Sequence, residues 1–273
     1  MIIRNLTVLP AAAAALAFAG GASAANLVNY WSFEAGFGDS VGSGGGTAGS
    51  EVTTGTGHDG NTAAVFPAAL SGGGPYNADG YVDTTGVTVS GAFAFSYWFN
   101  ISDDGTTDPR GIFDMSGNGG DGPQSLYIGN SDSLAFRVDG DGGTGGAALY
   151  DNGGAGFEDG QWHFVVGNYD PVTGITLHVD GSGVDASAGG FGNATFDADQ
   201  YLGAFNVGDP VTGPAVRGLN GSLDDVALYS GTLTAAEIDG LFAGTIQPTD
   251  IPEPGSLALL GLGGLALLRR RRA

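Results

Sequence analysis

The ten residues AFAFSYWFNI (92–101) constrain the fold more than any other stretch of the chain. Phe93, Phe95, Tyr97 and Phe99 alternate with Ala92, Ala94, Ser96, Trp98 and Asn100. Successive side chains of a β-strand point to opposite faces, so four large rings share one face. Trp98 apart, the other face carries small residues directed outward. The spacing of two does not fit the 3.6-residue period of a helix. A strand this greasy on one side must be covered, and the cover for a sheet is another layer.

Other patches repeat the pattern. LVNYWSF (27–33), YVDTTGVTV (81–89), SLYIG (125–129), LAFRVD (134–139), WHFVVGNYD (162–170), ITLHVDG (175–181) and LDDVALY (223–229) are rich in strand formers and bounded by turn residues. Glycine numbers 53, which suits many tight turns, while 10% aromatic residues are too many for a disordered linker. There is no cysteine, so neither disulfide staples nor thiol chemistry is available. The best helical stretch is TAAEIDGLF (234–242), where Thr234 can cap, Glu237 stands three residues later, and Ile238, Leu241 and Phe242 share a face. The segment 39–61 has almost no large apolar side chain and is expected to be a long surface loop. The fold expected is all-β: a two-sheet antiparallel jelly-roll sandwich.

Charge narrows the partners. Between residues 25 and 250 there are 28 acidic residues against Arg110, Arg137 and Arg217, a net of 25 negative charges. Such a body repels nucleic acid and anionic lipid and attracts cations.

The ends read as addresses. Arg4, an apolar run from Leu6 to Ala19 and the small residues up to Ala24 form a secretory signal peptide, residues 1–24, cut after Ala24. At the other end, Pro252-Glu253-Pro254 precedes 14 uncharged residues, Gly255 to Leu268, then Arg269 to Arg272. This short apolar helix falls below the ~20 residues that cross a bilayer comfortably, and its arginines favour the cytoplasmic side. Motif, apolar segment and terminal arginines resemble the PEP-CTERM sorting signal of Gram-negative bacteria. The resemblance implies transient inner-membrane anchoring, cleavage by an exosortase-type enzyme near the motif, and release to the cell surface or extracellular matrix. The organisation expected is therefore a signal peptide (1–24), a sandwich domain (25–247) and a sorting segment (248–273).

Four phrases of the body also resemble a family. LVNYWSFEAGFGDSVG, TVSGAFAFSYWFN, DGQWHFVVGNYDPVTGITLHVDGSGV and NGSLDDVALYSGTLTAAEI are similar, in wording and order, to the bacterial branch of the concanavalin A-like LamG/pentraxin group. The similarity spans about residues 26 to 245 and implies the same jelly-roll sandwich. It places Trp31 and Trp162 at core positions. It further implies a structural calcium between the first and last strands, at the positions of Glu34 and Asp224, completed by a carbonyl of the early glycine loop.

Catalysis finds little support. Glycoside hydrolysis needs two carboxyl groups ~5–9.5 Å apart across one sugar bond. Glu34, Glu51, Glu158, Glu237 and Glu253 are scattered, and the E-x-D-x-x-E phrase of the glucanase relatives is missing. Asp139 and Asp141 have a suitable spacing but lie among turn glycines. His58, His163 and His178 show no metal-binding spacing, and no role is assigned to them. No catalytic residue is expected, and the ligand-binding residues are not readable. The function expected is an exported, non-catalytic surface or matrix protein that binds glycan or exopolysaccharide. The alternatives are a divergent polysaccharide hydrolase or lyase, and a calcium-bridged assembly module.

Overall fold

The computed structural model describes residues 25–67, 80–103, 109–116, 122–128, 131–140, 144–152, 156–181, 183–196, 200–205 and 217–251. In chain order its strands are β1 (Asn26–Trp31), β2 (Thr47–Ala48), β3 (Thr53–Thr56), β4 (Thr62–Phe66), β5 (Val82–Asp83) and β6 (Phe93–Ile101). They continue with β7 (Pro109–Asp114), β8 (Pro123–Ile128), β9 (Ser133–Gly140), β10 (Thr144–Asp151), β11 (His163–Asp170) and β12 (Gly174–Val179). The last are β13 (Gly183–Ala188), β14 (Tyr201–Leu202), β15 (Ala204–Phe205), β16 (Arg217–Gly218) and β17 (Gly221–Ser230), and one helix follows, α1 (Ala235–Phe242). One sheet runs β13-β12-β11-β6-β17-β4-β3, with β1 also on β17; the other runs β10-β9-β8-β7-β14-β5-β2. Neighbours pair antiparallel, and β15-β16 form a separate ribbon.

The alternation in β6 does what its spacing predicts. Phe93, Phe95, Tyr97 and Phe99 are fully buried between the sheets. Phe95 stacks on Phe113 of the opposite sheet at 4.3 Å, and Phe113 meets Phe136. The Tyr97 hydroxyl is paired with the Ser125 Oγ at 2.5 Å, so this ring enters the core without stranding its polar end. Burying each such ring contributes about 1.5–3 kcal/mol.

The reverse face of β6 departs from expectation, because Ala94 and Ser96 are buried too. Helix α1 covers them. Ala94, Phe164, Val166, Ala227 and Tyr229 of the sheet pack with Leu233, Ile238, Leu241, Ala25 and Ile251 in a second, smaller core. Small side chains at 94 and 96 leave room for that cover. The helix starts as its sequence predicts: Glu237 N–H donates to the Thr234 hydroxyl at 3.3 Å, and Thr234 N–H donates back to Glu237 at 2.7 Å. Trp98, further along the same face, is only half-buried.

The stretch 39–61 is not the single surface loop its composition suggests, since β2 and β3 lie within it. Its glycines are needed for close packing. A Cβ on Gly44 would stand 2.9 Å from Val87 and 3.1 Å from Trp31, and one on Gly46 only 2.1 Å from the Phe37 carbonyl. Asp39 organises the entry to this segment by accepting N–H bonds from Tyr30, Val41, Gly42 and Gly44 and from the Asn29 amide. Burial opposes ionisation of Asp39, but the hydrogen bonds prevail and hold its carboxyl below the usual value.

Candidate functional site

The site forms where the row of strands beside β17 changes partner. Gly221 to Leu223 pair with β4, whereas Val226 to Ser230 pair with β1. Asp224 and Asp225 fall in the gap, and the register of β17 on β6 shifts there. Asp225 takes φ 48°, a left-handed conformation that Asp tolerates better than most residues. The kink turns two adjacent carboxylates inward, leaving Asp224 fully buried and Asp225 nearly so.

The turn between β3 and β4 closes over them. Gly57 N–H donates to Asn61 O at 2.8 Å, which pins the turn. His58 then donates its backbone N–H to Asp224 Oδ2 at 3.0 Å and places ring Nδ1 2.9 Å from the same oxygen. Nδ1 also lies 3.9 Å from Asp225 Oδ2. Ligand atoms of His58, Asp224 and Asp225 all lie within 4.8 Å of one another, a set that could hold a metal ion. Asn61 brings a fourth group: its Oδ1 is buried and has no hydrogen-bond partner. A Cβ added at Gly57 would stand 1.8 Å from that oxygen and 2.3 Å from Asp224 Oδ2. Glycine at 57 is therefore what lets the two oxygens share the space.

Outer contacts fix these donors. The Tyr30 hydroxyl donates to Asp225 Oδ1, and the Asp225 N–H donates to Asp224 Oδ1 at 2.9 Å. The His58 ring stacks on Trp98 at 4.3 Å with 10° between planes, and Trp162 meets it edge-on at 6.4 Å. Trp98 and Phe164 continue the aromatic surface to Phe242, which is 37% exposed. Trp162 is thus half-buried beside the site instead of in the core.

The electrostatics are those of a crowded acidic pair. Burial, then the charge of Asp224, pushes the Asp225 carboxyl up to about 6, against the pull of the Tyr30 bond and His58. Burial alone would lower His58, but its hydrogen bond to Asp224 and the charges of both aspartates raise it. The Tyr30 hydroxyl is raised by burial and by Asp225, so it stays a donor at physiological pH.

Of the two positions expected to hold calcium, Asp224 lies in this cluster and Glu34 does not. Glu34 follows Phe33, which is buried at φ 60°, and its Oε1 accepts Thr62 N–H at 2.7 Å. The structure brings both acids to one hairpin turn, Asp224 accepting the His58 N–H on its first side and Glu34 the Thr62 N–H on its second. The donor set also departs from an oxygen-only shell, since one of its members is imidazole nitrogen. His58 was missed because 166 residues separate it from Asp224, and no local spacing announces such a pair. Ala24, Pro252, Glu253, Pro254, Asp141 and the C-terminal apolar segment lie outside the described residues.

A second histidine cluster stands nearby. His163 at the start of β11 places Nδ1 2.8 Å from Asp180 and Nε2 3.2 Å from Asp159, while Phe164 N–H donates to Asp180 at 2.9 Å. It ties the entry of β11 to the turn after β12. A further polar device is an ion pair between Arg110, 1% exposed, and Glu158. Arg110 also donates to Ser102 O at 3.0 Å and lies over the Tyr127 ring.

The fold is an antiparallel two-sheet sandwich of the concanavalin A-like class. A profile of the concanavalin A-like lectin/glucanases superfamily matches residues 73–239, and the chain belongs to that family. The PEP-CTERM protein-sorting motif matches residues 250–272, which indicates an exported cell-surface protein processed by an exosortase. Among solved structures, the chain is similar to the botulinum neurotoxin serotype G binding domain at 11% identity and TM-score 0.61, over 81% of this chain and 51% of that one. It is similar to the serotype D ligand-binding domain in complex with N-acetylneuraminic acid at 14% identity and TM-score 0.56, over 76% and 47%. It is also similar to domain 4 of AbnA, an extracellular arabinanase from Geobacillus stearothermophilus, in complex with arabinotriose, at 18% identity and TM-score 0.54, over 80% and 99%. The chain spans about half the length of the neurotoxin domains it matches. No curated protein matches.

Proposed function

We propose that this protein is a non-catalytic glycan-binding module of the cell surface or extracellular matrix. In this reading the chain is freed of its signal peptide after Ala24 and cut beside Pro252-Glu253-Pro254, after transient anchoring in the inner membrane of a Gram-negative-type bacterium. The observation that carries the binding role is the half-exposed aromatic surface of Trp98, Trp162 and Phe242 on a lectin-family sandwich. Sugar rings present apolar C–H faces that stack on such side chains, with polar groups beside them to set orientation. Two of the neighbouring structures are complexes with saccharides, N-acetylneuraminic acid and arabinotriose, which supports the same class of ligand here. The strong negative charge favours neutral glycans over acidic ones unless a cation mediates.

The non-catalytic reading is supported by how three of the glutamates are used. Glu34 holds the Thr62 N–H, Glu158 is paired with Arg110, and Glu237 caps α1. Each is committed to the fold, so none is poised as the acid or nucleophile of a glycosidase. Glu34 holds the hairpin through Oε1, outside the cluster, and the His58–Asp224–Asp225 cluster is the better-formed cation position.

The test is binding of neutral and acidic polysaccharides to the purified protein, with Trp162→Ala and Phe242→Ala alongside. Saturable binding lost in both variants is expected. Binding unaffected by either change, or turnover of the polysaccharide, would remove the reading.

A further inference from the structure

We propose that His58, Asp224, Asp225 and Asn61 form a four-donor site that prefers a zinc-class divalent cation to calcium. This goes beyond glycan binding and does not depend on it.

Four observations converge. The first is donor chemistry. Calcium takes six to eight oxygens, whereas one imidazole with carboxylates suits zinc and its neighbours in the transition series. The second is spacing. Donors of a tetrahedral zinc site stand about 3.3 Å apart for bonds of 2.0–2.1 Å. His58 Nδ1 stands 2.9 Å from Asp224 Oδ2 and 3.9 Å from Asp225 Oδ2, which brackets that value. Spacing alone would also accommodate a larger ion, so the nitrogen decides. The third is the Asn61 Oδ1, a buried acceptor with no donor, beside the same Asp224 oxygen and over the Cβ-less Gly57. Buried polar atoms are almost always satisfied, and a cation between the Asn61 and Asp224 oxygens would satisfy both. The fourth is the outer contacts. Metal ligands are characteristically oriented by a further ring of hydrogen bonds, and here Tyr30 holds Asp225, the Asp225 N–H holds Asp224, and Trp98 fixes the imidazole plane. For Nδ1 to ligate, the ring proton resides on Nε2, and the hydrogen bond from Nδ1 to Asp224 is exchanged for two bonds to the ion.

A cation here joins the two chain halves. His58 and Asn61 come from the β3–β4 turn, and Asp224 and Asp225 from the last strand, where one edge of β17 changes partner from β4 to β1. The metal would lock that gap.

The full chain, without a histidine tag and held in mild detergent, is stripped with chelator and then titrated with zinc alone and calcium alone. Zinc is expected to bind one per chain and to survive gel filtration. At a hundredfold excess over its Kd it should raise Tm by about 5–10 °C. Calcium should bind at least about tenfold more weakly. Cobalt in the same site should give the visible absorption of a tetrahedral nitrogen–oxygen complex. His58→Ala should abolish the preference for zinc, and Asn61→Ala should weaken zinc binding while leaving the melting temperature in chelator nearly unchanged. If His58→Ala fails to fold, Asn61→Ala and the cobalt spectrum carry the test. Equal affinity for calcium and zinc, zinc binding indifferent to both substitutions, or no stoichiometric uptake would overturn the proposal, the last meaning that a protonated His58 fills the role of the cation.

Discussion

Asp225 should be a residue that the metal-free fold would be better without. Its carboxyl is 7% exposed and stands beside Asp224, and its folded pKa is about 6 against 3.8 for a free side chain. A carboxyl raised on folding means that the native state binds more protons than the unfolded chain between about pH 4 and pH 6. Stability therefore falls as pH rises through that window. Two units at 1.36 kcal/mol each give a cost of about 3 kcal/mol for the ionised form at pH 7. Asp225→Asn removes the charge and keeps an acceptor for the Tyr30 hydroxyl. It should be more stable than the parent at pH 7 by up to about 3 kcal/mol, or about 6–12 °C in Tm for a domain of this size. The gap should narrow towards pH 4, near the free value of 3.8, where the parent carboxyl is protonated in the native state and about half protonated in the unfolded chain. The assay is thermal melting in chelator at pH 4, 5, 6 and 7, parent against variant. A variant less stable than the parent at pH 7, or a gap that does not change with pH, would refute the reasoning. A residue that costs stability where a neutral isostere would not is kept for what it binds.

Two further changes probe the polar devices around the site. Glu158→Ala removes a charged partner of the buried Arg110, whose bond to Ser102 O remains, and should cost up to about 3–5 kcal/mol, more than the double change Arg110→Met with Glu158→Leu, by urea unfolding. His163 behaves oppositely to Asp225: burial lowers it, but Asp180 and Asp159 outweigh burial and raise it. Its ion pairs are complete below the ordinary histidine value and are lost as pH rises through the raised one, so the stability gap between parent and His163→Gln, followed by thermal melts, should shrink above neutrality.

The core was legible because its signal is local. The period of two in 92–101 and the capping box at Thr234 and Glu237 each need only a few neighbouring residues, and both are seen in the structure. The sandwich likewise follows from strand patches that bury one face. Short strands such as β2, β5 and β14 escaped, since two residues carry no period. The glycine segment 39–61 escaped for a different reason. Its missing side chains look like loop chemistry, yet Gly44 and Gly46 are small because Trp31, Val87 and Phe37 press on them. The site was half legible. Asp224 follows from the resemblance, but its partner His58 is set by which strands become neighbours, and that is a property of topology. Asp225 was invisible as an active participant until the left-handed kink at φ 48° turned it towards its neighbour.

The two ends of the body close on each other, and this has a consequence for where the chain can be cut. Ala25 and Ile251 are 2% and 3% exposed and belong to one small core with Ala94, Phe164 and α1. The backbone before Ile251 makes a tight 3₁₀ turn, Pro248–Asp250, whose carbonyl at Pro248 accepts the Ile251 N–H at 3.3 Å. Burial thus reaches, through Pro248 and Ile251, the residue preceding Pro252-Glu253-Pro254. A processing cut within or beyond that motif leaves the small core whole, whereas one before Ile251 removes a buried side chain. A chain spanning residues 25–251 should melt with the full-length protein, and one ending at Asp250 should melt lower by about 4–20 °C, taking about 2–5 kcal/mol for a buried isoleucine. Equal melting of the two truncated forms would show that Ile251 does not close the body. If the difference is found, the fold itself sets the limit of processing at Ile251.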